Sequence, residues 1–135
     1  MEHLFQTLID ESKRTLTIIH TIDTSKISLN QIVETYFQIS NISSMCKLIE
    51  NSESIDSQKS NQLDQIKKEL IENFDKNIHP KIIEFIENEI LTLKKHIESI
   101  PPEQTPEEIE KSSKLFDKLR ELMSTKEFVF QYGKS

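Results

Sequence analysis

From Leu63 to Ile97 an apolar residue returns at every third or fourth position: Leu63, Ile66, Leu70, Phe74, Ile78, Ile82, Ile86, Ile90, Leu93 and Ile97. A strand sends alternate side chains to one face, whereas a helix turns once in about 3.6 residues, so steps of three and four collect on one side of a helix only. The same spacing recurs upstream. Leu4, Phe5, Leu8, Ile9, Leu16, Ile19 and Ile22 mark a first helix over roughly Glu2 to Thr21. A second, from Leu29 to about Glu50, carries Leu29, Ile32, Tyr36, Ile39 and Cys46, with Val33, Phe37, Ile42, Met45 and Ile49 beside them. A stripe this wide predicts burial on more than one side.

The breaks between these segments have their own chemistry. Ser28 followed three residues later by Gln31 spells a capping box, in which each residue satisfies an orphan donor of the other. The polar run from Asn51 to Asn61 reads as a loop closed by a helix cap at Asp56 or Ser57. Pro80 lacks a backbone donor and disfavours helical geometry at His79 before it. The segment from Gln58 is therefore expected to kink near Asn77 to His79 or to split into two helices in near-continuous line. Pro101 and Pro102 end it. Thr105 then caps a new helix with Pro106 in its first position and Glu108 completing a box. That helix runs to about Met123 or beyond, carrying Ile109, Phe116, Leu119, Leu122 and Met123, with Glu107–Lys111 and Glu110–Lys114 pairs on its wetted side. The heptad-like stretch from Ile83 to Ile100 is too short for a long coiled coil and suits a bundle seam. The expected fold is all-α: one domain over residues 1–135, a four- or five-helix antiparallel bundle with a kink or break at Pro80.

Composition removes several functions. The chain holds 135 residues, with 20 Ile and 12 Leu but two Val, so its core must be built from long aliphatic side chains. Its single glycine, Gly133, cannot furnish a phosphate-cradling loop, which needs residues without Cβ where the backbone closes on the anion. One cysteine, Cys46, excludes an internal disulfide and any zinc site built on paired Cys. It points to a reducing, cytoplasmic setting. A net charge of −6, with 17 Lys and Arg against 23 Asp and Glu, leaves no basic stripe for nucleic acid or an anionic membrane surface. No stretch approaches the ~18 apolar residues of a membrane span, and no signal peptide is read.

Reactive groups are sparse. None of His3, His20, His79 and His96 has Glu or His three or four residues before it, so helical metal-ligand pairs find no support. His79, with Asp75 and Glu84 nearby in sequence, reads as a partly exposed histidine tied to a carbonyl freed by Pro80. Cys46 sits among apolar helix positions and reads as core. Carboxylate pairs such as Glu84 with Glu87 lie among lysines on a solvated face. No catalytic, cofactor-binding or metal-binding residue is assigned, and no enzyme is expected.

The C-terminal stretch 124–135 carries the most suggestive element, Phe128-Val129-Phe130-Gln131-Tyr132. Three aromatic residues near the chain end either fold back or dock elsewhere, and their alternation would suit addition to a partner's sheet edge. Phe128, Phe130, Tyr132 and Met123 are the expected partner-binding residues. In general character the chain resembles small helical subunits of cytosolic assemblies. The reading is a non-catalytic interaction or adaptor module, docking a protein partner or a second copy through apolar helix faces. The contrasting reading is a bundle that binds a small apolar ligand or holds an enzymatic site in its core, with Tyr36, Asn73 and His96 as its polar groups.

Overall fold

The computed structural model describes residues 2–52 and 55–132, and every regular element among them is helical. They are α1 (Glu2–Thr21), α2 (Leu29–Glu50), α3 (Ser57–Ile66), two π-helical segments π1 (Lys67–Glu72) and π2 (Phe74–Ile78), α4 (His79–Glu98) and α5 (Pro106–Phe130). The chain is all-α, as its periodicity requires. Two compact units are distinguished, Met1–Pro80 and Lys81–Ser135.

The first unit is three helical rods running up, down and up. The Thr15 hydroxyl of α1 donates to Gln38 Oε1 of α2 at 2.9 Å, which fixes those helices as an antiparallel hairpin. Glu50 at the end of α2 pairs with Lys67 at the start of π1, and Tyr36 near the other end of α2 meets Phe74 and His79, so the third rod runs against α2. Lys59 Nζ lies 5.5 Å from the Phe5 ring centroid and brings the start of α3 beside the start of α1. Leu8, Ile19, Ile32, Tyr36, Ile39, Ile42, Cys46, Ile49, Leu63, Leu70, Phe74 and Ile78 are buried in this unit. Each large aliphatic side chain withdrawn from water stabilises by about 1.5 to 3 kcal/mol before entropy is counted. Among buried residues Thr15 and Thr35 satisfy their hydroxyls, the second on the Gln31 carbonyl one turn back.

The caps form where the sequence placed them. Ser28 Oγ accepts the Gln31 amide at 3.1 Å and the Ser28 amide donates to Gln31 Oε1 at 3.0 Å, the full box. Asp56 caps α3 by accepting the Lys59 amide at 2.8 Å. Thr105 caps α5 through the Glu108 amide at 3.2 Å, but its hydroxyl also donates to the Glu108 carboxylate at 3.1 Å, so that side chain engages the hydroxyl.

Pro80 does not introduce a non-helical break. Every residue from Ser57 to Glu98 is helical, and His79 itself sits at φ −53°, ψ −48°. The interruption is a change of helix type. Before Pro80 the His79 amide donates to the Phe74 carbonyl five residues back. A proline ring in a helix clashes with the carbonyl four residues before it and removes one bond. Here the wide π turns precede the ring, and α-helical winding is resumed from His79 onward.

In the second unit Ile82, Ile86, Ile90 and Leu93 form the buried stripe of α4, and Leu122, Thr125 and Val129 that of α5. The expected Glu107–Lys111 and Glu110–Lys114 pairs are not among the ion pairs of the described residues. The pair on this helix is Arg120 with Asp117, at 2.6 Å.

Candidate functional site

Twenty-five residues of unbroken helix make α5 the longest α-helix of the chain, and its surface departs from the usual division of apolar inside and polar outside. Ile109 is 57% exposed, Phe116 47% and Met123 47%. They stand seven residues apart, two helical turns, and Phe130, half-buried, follows at the same interval. At 1.5 Å per residue this row extends about 31 Å along one side of the helix. Arg120, Asp117 and Glu127 are exposed beside it. At its C-terminal end Lys126 Nζ lies 5.2 Å from the Phe130 ring centroid, and Met123, Lys126, Glu127, Phe130 and Gln131 line a shallow depression.

The four residues expected to bind a partner therefore divide. Met123 and Phe130 share the row. Phe128, two residues from Phe130, points to a different side of the helix and is half-buried, while Val129 between them is buried. Tyr132 lies in the turn just past α5, also half-buried. The alternation of Phe128, Val129 and Phe130 is not a strand pattern: all three are helical, so addition to a sheet edge is withdrawn. Residues 133–135 of the expected docking tail 124–135 lie outside the described residues. Sequence reasoning placed Ile109 and Phe116 on this helix but not in the docking set, although their interval of seven was the available signal. The stripe of α2 is largely buried, with Phe37 and Leu48 exposed at its margins.

The first unit contains a second concentration of chemistry. Tyr36, 1% exposed, brings its hydroxyl to 2.5 Å from His79 Nδ1. Its ring stands edge-on to Phe74 at 5.0 Å and to His79 at 5.6 Å between centroids, and Phe74 and His79 are 6.2 Å apart. In an α-helix residues five apart point about 140° away from each other. A π turn closes five residues back and returns them to one side, which is how π2 sets two rings around one tyrosine. Burial, reinforced by the Asp75 charge, pushes the Tyr36 phenol well above the ordinary tyrosine range. Burial also lowers His79, against the opposing Asp75 charge. The Tyr36 hydroxyl and His79 Nδ1 share one hydrogen bond, whose direction follows the imidazole tautomer. The sequence tied His79 to a freed backbone carbonyl; the structure sets this phenol against it. Of the other polar groups considered for a core site, Asn73 accepts from Asn77 at 2.6 Å and His96 is exposed.

A cleft of about 420 Å³ opens at the turn between α1 and α2, lined by Asp23, Lys26, Glu34 and Gln38 among others. Its polar groups are partly engaged. The Ser25 hydroxyl and amide hold the Asp23 carboxyl below its usual range, and Gln38 serves Thr15. Cys46 is buried and its thiol is pushed up by that burial, with Lys67 opposing. Among the described residues no three His, Cys, Asp or Glu side chains gather to hold a metal ion, and no helix is long and apolar enough to cross a membrane.

Among the described residues every regular element is helical, and α5 carries a row of apolar residues along one side. No family model, curated protein or solved structure matches it.

Proposed function

We propose that the chain is a non-catalytic interaction module, a small subunit or regulator of a cytoplasmic protein assembly, that docks an amphipathic helix of a protein partner along α5. The observation that carries this reading is the row of Ile109, Phe116, Met123 and Phe130. Single exposed apolar residues are ordinary on protein surfaces, but a row in register over most of a long helix is the pattern that a partner helix reads through anchors spaced along one face. A reduced thiol at Cys46 suits a cytoplasmic setting.

The test compares the intact tagged chain with Phe116→Glu/Met123→Glu, both captured from their native cells, with photo-crosslinking from position 116 to identify what touches the row. Both proteins should give the same helical circular dichroism. One stoichiometric protein crosslinked from position 116 and lost from the double variant supports the reading. Recovery that the double variant leaves unchanged refutes it, as does crosslinking only to a second copy, which would replace a partner helix by self-association.

A further inference from the structure

A small pocket in the first unit, half open to solvent, lies where α3 passes into π1 beside α1. It measures about 130 Å³ and is lined by Ile9, Leu16, Ile66 and Leu70, with Ser12 in its wall and the side chains of Lys13, Gln65 and Glu69 completing the lining. Ser12 is 6% exposed, and its Oγ is buried with no hydrogen-bond partner. The contrast with other helical hydroxyls is informative. Those of Thr7, Thr17, Thr35, Ser112 and Thr125 all donate to the carbonyl four residues back. Ser12 makes no such bond to Leu8, although a buried hydroxyl left unpaired is destabilising.

An apolar cavity of about 150 Å³ is large enough to hold benzene, so the space beside Ser12 is of the right order for one small ring or a short branched chain. We infer that this cavity is a binding site for a small apolar molecule carrying a single hydrogen-bonding oxygen, with the walls of Ile9, Leu16, Ile66 and Leu70 holding the carbon skeleton and the Ser12 hydroxyl recognising the oxygen. The position at a change of helix type is consistent with such a role, since π turns recur at functional sites. The site is independent of α5.

Phenol and benzene are the probes, titrated into the intact chain and followed by amide chemical shifts. Phenol should perturb the amides of Ser12, Leu16, Ile66 and Leu70 and bind about tenfold more tightly than benzene, the factor expected for one buried hydrogen bond. Ser12→Ala should keep benzene binding and bring phenol down to the same affinity, while raising the melting temperature of the free protein because the stranded hydroxyl is gone. Absence of shifts at these amides under saturating phenol overturns the inference and leaves a cavity holding solvent alone. A preference for phenol that survives Ser12→Ala overturns it equally.

Discussion

Replacing His79 by leucine removes the ring nitrogen that meets the Tyr36 hydroxyl. Tyr36 is 1% exposed and its hydroxyl lies 2.5 Å from Nδ1, so the variant removes a hydrogen bond at a buried group. Losing such a bond costs about 1 to 3 kcal/mol, and losing the edge-on ring contact adds about 0.5 to 1.5 kcal/mol. The expected loss is about 1.5 to 4.5 kcal/mol, a large part of the ~5 to 15 kcal/mol that holds a domain folded. Tyr36→Phe removes the same hydrogen bond from its other end. It leaves a half-buried imidazole behind, so its cost should be about 0.5 to 1.5 kcal/mol. In the double variant neither end of that hydrogen bond remains. It should therefore be less destabilised than the two single costs added, by a coupling of about 1 to 2 kcal/mol. His79→Asn keeps an acceptor near the position of Nδ1 and should recover most of the loss. Urea unfolding followed by circular dichroism at 222 nm measures all four variants, the chain having no tryptophan to report instead. If His79→Leu costs no more than Tyr36→Phe, or the double variant is additive, the hydrogen bond does not hold this end of the unit.

The same pair makes stability depend on pH. Folding lowers the His79 pKa below its ordinary 6.5, so between those two values the unfolded chain binds the additional proton. The contribution is whole above about pH 6.5, declines as the pH falls through that value, and levels off below the folded-state pKa. Urea midpoints across this range should show the decline in the wild type and lose it in His79→Asn. Ser28→Ala should destabilise by about 1 kcal/mol by removing the hydroxyl that caps α2, and calorimetry should show a lowered melting temperature. The Cys46 thiol, buried and held protonated, should react with a disulfide reagent at a rate set by opening of the fold; immediate reaction at native pH would show that the site is open.

Much of the fold could be read in advance because the information is local. Ser28 and Gln31 meet across one turn, and the apolar steps of α1 and α2 need no partner to be recognised. The π segments escaped that reading for a physical reason. Leu70, Phe74, Ile78 and Ile82 keep spacings of four straight through them, so the stripe looks α-helical; the wider turn shows only in the bonding of the His79 amide and in the ring that Phe74 and His79 make around Tyr36, forty-three residues from His79. The end of α5 misled in the opposite direction. Phe128, Val129 and Phe130 alternate like a strand, but three residues are too few to set a period, and the burial of Val129 in a helix prevails. Ser12 gives no sign in the sequence at all, since any serine on α1 would be expected to bond its own backbone.

Because Phe74 and His79 come alongside each other only while the amide at His79 reaches back five residues, the grip on Tyr36 acts as a latch on backbone winding. Tightening that stretch by a single residue would swing the two rings apart and release the tyrosine. The winding of the backbone and the contact of three rings are thus one feature, written once in an amide and once in side chains.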